Sequence, residues 1–130
     1  MSISRRFAVI AVVGAGLAMA APALALSSKF TSAALADAQK GGKSVLVEVG
    51  APWCPVCKAQ KPILDSLLSG DKYKSVVKLD IDFDSQKADL KALNVQKQST
   101  LIVYKGDKEV GRSTGVTDPA AIEALVAKAL

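Results

Sequence analysis

The only two cysteines of this 130-residue chain are Cys54 and Cys57, in the stretch GAPWCPVCKAQKPIL that runs from Gly50 to Leu64. At that spacing a pair of thiols can exchange disulfides, bind a metal or cluster, or form an inert staple. A staple contributes least, because closing a loop of so few residues constrains the unfolded chain little. A single chain is short of metal donors, having two cysteines and no histidine. Two chains together would supply four thiolates, enough to bridge an iron–sulfur cluster or hold zinc. Lys58, directly after Cys57, excludes the C-x-x-C-H pattern of haem attachment.

Exchange chemistry needs one thiol activated as thiolate and a second within reach. The flanking elements can provide both. SVLVEVG, Ser44 to Gly50, is a β-branched, nearly continuous apolar run with Glu48 as its single charge. It reads as a central strand buried on both faces. From Cys54 the period changes: Ile63, Leu64, Leu67 and Leu68 share one helical stripe, with Lys58, Lys61 and Asp65 elsewhere on the wheel. Pro62 inside this helix predicts a kink rather than an end, because the stripe continues through it. Cys54 therefore stands at a helix start just beyond the carboxyl end of a central strand, where α/β sheets usually place their chemistry. Free backbone N–H groups and the positive end of the helix dipole lower the pKa of a thiol there, which makes Cys54 the expected nucleophile. Cys57 lies one turn further, about 5 to 6 Å away between Cβ atoms, and is expected to be the more buried, resolving thiol. Pro55 suits the first helical turn, and the intervening Val56 brings no charge. With no imidazolium to stabilise the thiolate, a mild rather than extreme oxidant is expected.

The remaining pattern supplies the frame. Thr31 or Ser32 caps a helix over residues 32–40 that stops at Gly41-Gly42. VVKLDID alternates Val77, Leu79 and Ile81 with Lys78, Asp80 and Asp82, a strand with one polar face. A short helix with Leu90 and Leu93 inward follows. TLIVYKG and KEVGRSTG then form two strands joined at Gly106-Asp107. Asp118 and Pro119 open a last helix that buries Ile122, Leu125, Val126 and Leu130. This order predicts an α/β fold, a mixed central sheet between helices with an antiparallel hairpin at its edge.

The N-terminus reads as a secretory signal peptide over residues 1–25: Arg5 and Arg6, an uncharged run from Phe7 to Ala20, and a small-x-small site at Ala23-Leu24-Ala25. The domain is then residues 26–130, with Leu26 the expected mature start and the periplasm or another exported compartment its location. Taking two arginines from the 17 basic residues leaves 15 against 12 acidic ones, so the mature charge falls from +5 to +3. These charges are interspersed with no basic stripe, which argues against a nucleic-acid partner.

VLVEVGAPWCPVCKAQKPILDSL resembles the thioredoxin family, whose pattern is a strand, W-C-x-x-C-K, and a proline five residues after the second cysteine; Pro62 matches. VVKLDID, STLIVYKG and Gly115 extend the resemblance over roughly residues 30–130. It implies a thioredoxin-like fold and a thiol:disulfide oxidoreductase without a cofactor, monomeric, acting on protein thiols or disulfides. A membrane thiol relay is the implied electron donor. The family's buried carboxylate and lysine, which move the proton of the resolving thiol, fall on Glu48 and Lys78. Burial of a lone acid raises its pKa toward the range a general base needs, in agreement with that role. Trp53, Pro55, Val56, Gln98, Ser99 and Thr100 make up the expected substrate surface. The family's cis-proline is replaced by Ser99. A non-proline cis bond costs about 2.5 to 4 kcal/mol, so Gln98–Ser99 is predicted to be trans. Loss of the ring also leaves the shared cluster or zinc reading open, and a non-catalytic binding scaffold is the third alternative.

Overall fold

A computed structural model describes residues 27–130 and, upstream of them, only Gly14 and Gly16; the segment read as a signal peptide, with Leu26, lies outside the described residues. Strands are β1 (Ser28–Lys29), β2 (Ser44–Gly50), β3 (Val77–Asp82), β4 (Thr100–Lys105) and β5 (Lys108–Thr114). Helices are α1 (Ser32–Lys40), α2 (Pro55–Ser69), α3 (Lys87–Ala92) and α4 (Pro119–Ala127). The sheet order is β1-β3-β2-β4-β5. β2 runs parallel to β3 and antiparallel to β4, and the β4–β5 hairpin closes one edge. β1, which periodicity did not disclose, is two residues paired in parallel with β3. Two residues are too few to show an alternation.

Because side chains alternate across a strand, β2 feeds two cores. Val45, Val47 and Val49 pack with Phe30, Leu79 and Leu90. Leu46 packs on the opposite face with Leu64, Leu68, Ile122 and Val126, which α2 and α4 contribute. Glu48 follows Leu46 in this second register, so strand geometry carries the acid to the face that α2 covers. Thr31 caps α1, accepting from the Ala34 N–H at 3.0 Å. Asp118 does the same for α4 through the Ala121 N–H at 2.9 Å. α2 continues through Pro62, as its unbroken apolar stripe requires.

Leu93, the C-cap of α3, packs half-buried against the core beside buried Leu90, both inward as expected. One expected core position needs correction. Leu130 is 44% exposed, because α4 ends at Ala127 and the helical phase does not extend to it. At Gly111, any Cβ would come 2.7 Å from Leu125 Cδ1, so this glycine lets α4 lie directly on β5.

The packing predicts a contrast within one chain end. Ile122→Ala removes a fully buried side chain and is expected to cost about 3 kcal/mol, against under about 0.5 kcal/mol for Leu130→Ala, read from urea unfolding at constant m-value.

Candidate active site

Cys54 is the N-cap residue of α2 and Pro55 occupies its first position, where a missing N–H is free of cost. The two cysteines form a disulfide with Cα atoms 5.3 Å apart. Cys54 Sγ accepts from the Cys57 N–H at 3.1 Å, so the sulfur sits on one of the unpaired donors that open the helix. A thiolate at Cys54 would strengthen that bond. The expected order of exposure is reversed: Cys54 is fully buried, while Cys57 retains 6% of its surface. Cys54 sits in a small apolar cluster with Ala51 and Cys57, against which Val56 and Phe83 pack. Cys57 borders a cleft of about 660 Å³ that Glu48, Lys58, Lys61 and Asp80 also line.

Glu48 and Lys78 form an ion pair on the face that α2 covers. Lys78 Nζ lies 2.5 Å from Glu48 Oε2 and 3.3 Å from Asp80 Oδ1. The β2–β3 register sets Glu48 opposite Asp80, with Lys78 two residues back on the same face. Burial raises the Glu48 pKa above its usual 4.5, and the Lys78 ammonium pulls against that rise without cancelling it. Burial works to lower Lys78, but the hydrogen bond to Glu48 and the charges of Glu48 and Asp80 outweigh it, holding the amine charged. Two carboxylates thus share one ammonium beside a cleft that also reaches Cys57.

Trp53 is 55% exposed. Its indole N–H donates to Asp84 Oδ2 at 2.9 Å, and its ring meets Phe83 edge-on at 6.3 Å between centroids. Pro55 is exposed and Val56 half-buried beside it. Gln98 is half-buried, but Ser99 and Thr100 are buried. The Thr100 hydroxyl is spent inside the fold, donating to Lys97 O at 2.8 Å and lying 3.0 Å from Thr114 Oγ1. Of the turn expected to meet a substrate, side-chain access is therefore confined to Gln98.

Ser99 follows a trans peptide and has φ +60°, a left-handed conformation that costs a serine about 1 to 3 kcal/mol unless its surroundings impose it. Here they do. Its N–H donates to Val49 O at 2.8 Å, a carbonyl 3.9 Å from Cys57 Sγ. Its own carbonyl accepts from the Gly115 N–H at 3.0 Å and from Gln60 Nε2 at 3.2 Å. The hydroxyl donates to Gln98 O at 2.5 Å. Gln60 escaped the sequence reading, although the signal is present: it lies four residues before Leu64 on the apolar stripe, a polar residue in a buried phase. Phe83 and Asp84, which seat Trp53, carry no comparable pattern.

The family model described as Thioredoxin matches residues 26–128. The chain belongs to the thioredoxin family. Thioredoxin of Chlamydia muridarum is 38% identical over 84 residues, 65% of this chain and 80% of that protein. Thioredoxin-2 of Saccharomyces cerevisiae is 38% identical over 87 residues, 67% of this chain and 81% of that protein. Among solved structures, Trxlp from Edwardsiella tarda EIB202 superposes with a TM-score of 0.75 at 40% identity, over 78% of this chain and 98% of that one. This thioredoxin-family protein is a thiol:disulfide oxidoreductase with Cys54 and Cys57 as its pair.

The ion pair predicts a pH signature. As pH rises above 4.5 the folded protein gives up the Glu48 proton later than the unfolded chain does, so this group's stabilisation is full below pH 4.5 and is lost as pH rises through the raised folded value. The contribution of Lys78, raised above 10.5, stays constant over that range. Between about pH 4 and about pH 8 the urea midpoint of Glu48→Gln should therefore gain on that of the parent. A constant offset between the two proteins contradicts the assignment.

Proposed function

We propose that the protein is an exported thioredoxin that exchanges disulfides with protein substrates in the periplasm or an equivalent compartment. The observation that carries the chemistry is a cysteine pair at the N-terminus of α2 with a buried Glu48–Lys78 ion pair on the cleft beside Cys57. In the reductive direction, Cys54 thiolate attacks one sulfur of a substrate disulfide, joins it in a mixed disulfide, and releases the other substrate sulfur as thiolate. Glu48 then accepts the Cys57 proton. The Cys57 thiolate attacks Cys54 Sγ, the second substrate thiolate leaves, and the Cys54–Cys57 disulfide remains. Two electrons have passed to substrate. Lys78 keeps Glu48 in place and lowers the cost of its charge.

A thiol donor must return the two electrons, and for an exported chain a membrane thiol relay is the fitting source. Export is supported by the basic, apolar and small-residue order of residues 1–25 and by a family match that starts at residue 26. Exposed Trp53 and Pro55, with half-buried Val56 between them and the cysteines, form the rim for a partner, and Gln98 precedes Ser99 in the neighbouring turn. The protein works as a monomer and without a cofactor. Among the described residues no three metal-capable side chains converge, so a cluster would have to draw both thiolates from each of two chains.

Cys57→Ala is expected to accumulate covalent adducts with protein partners through Cys54, seen as species on non-reducing gels that thiols dissolve. Adducts obtained through Cys57 in Cys54→Ala, and not through Cys54 in the reciprocal variant, would reverse the assigned roles. Glu48→Gln should slow turnover about 10²-fold near neutrality, the lower end of what a positioned base contributes. Intact mass of the exported protein should begin at Leu26.

A further inference from the structure

Gln60 lies on α2 one turn beyond Cys57 and is completely buried. Its side-chain N–H group donates to two main-chain carbonyls from different parts of the chain, Ser99 O at 3.2 Å and Val116 O at 2.8 Å. Both acceptors belong to segments with left-handed backbone: Ser99 itself at φ +60° and Gly115, before Val116, at φ +77°. These segments are joined to each other by the Gly115 N–H bond to Ser99 O. Gln60 Oε1 is also buried and has no hydrogen-bond partner among the described residues. A buried amide with an orphan acceptor stabilises a core less than an apolar side chain of the same size. Position 60 therefore contributes location: it fixes two turns against the helix that carries the redox pair.

We propose that Gln60 is a positioning residue for protein substrates, holding the Gln98–Ser99 turn in the place where a proline ring would otherwise constrain it. This rests on the oxidoreductase reading above. The left-handed Ser99 has its N–H on Val49 O and its carbonyl on Gln60 and Gly115, so it cannot swing without breaking bonds to β2, to α2 and to the segment after β5. The turn thereby fixes the backbone that carries Gln98, the neighbour of a residue bonded to Val49 O, a carbonyl 3.9 Å from Cys57 Sγ. A small disulfide needs only the sulfurs, whereas a protein disulfide also has to lie along this turn.

The test compares Gln60→Leu with the parent on insulin, a protein disulfide, and on dithiobis-nitrobenzoate, a small one. The expected result is an insulin KM raised about five-fold or more, with kcat and the small-disulfide rate constant within about two-fold. An unchanged insulin KM in folded Gln60→Leu overturns the proposal, and so does a parallel fall on both substrates, which marks a merely structural role. A parent protein inert toward both disulfides refutes the oxidoreductase reading instead. Gln60 is then judged by amide exchange: the Gly115 N–H should exchange about ten-fold faster in the variant, and an unchanged rate overturns the clamp. Should Gln60→Leu not fold, the parent decides by NMR, where slow exchange of the Gln60 side-chain protons supports the clamp and exchange at the rate of a free amide overturns it.

Discussion

β2 is the element from which the site is measured. It is buried on both sides and bonded on both edges, so the position and facing of every residue on it are fixed by neighbours that cannot shift independently. Leu46 and Glu48 must face α2 if Val45, Val47 and Val49 are to face α1 and α3. The strand then ends at Gly50, four residues before the N-cap of α2. A charged group in a core register and a sulfur on a helix N-terminus are thus consequences of one strand's placement, and Val49 O extends the same strand to the Ser99 turn.

Much of this is legible in the sequence because it depends on local periodicity. The apolar run of β2, the stripe of α2, the caps at Thr31 and Asp118, and the trans bond before Ser99 all follow from short-range chemistry. Glu48 and Lys78 could be paired only through resemblance, since no single strand records which residue of another will stand beside it. What escaped was non-local or too short. β1 has two residues. The burial of Cys54 depends on Phe83 folding back from the end of β3, and that of Thr100 on a hydroxyl partner on β5. Leu130 shows the opposite error, where a pattern was continued past the helix that generates it.

Replacement of a proline by Ser99 changes how the turn is held. A ring restricts its own backbone from within. Ser99 is restrained from outside, by carbonyl and amide groups on three other segments, and its unfavourable φ persists because those bonds act together. The turn is therefore part of the hydrogen-bond network of the redox helix and not a separate rigid unit.

Lys78 is shared by Glu48 and Asp80, and Lys61 acts on Glu48 from across the cleft, so the Glu48 carboxyl belongs to a set of coupled charges beside the disulfide. Such a cluster takes up a fraction of a proton from solution when a charge appears or disappears nearby. Opening the disulfide to a thiolate is an event of this kind. Electron transfer and proton uptake are then tied to each other, and the slope of the reduction potential against pH records the electrostatics of β3 as well as the chemistry of sulfur.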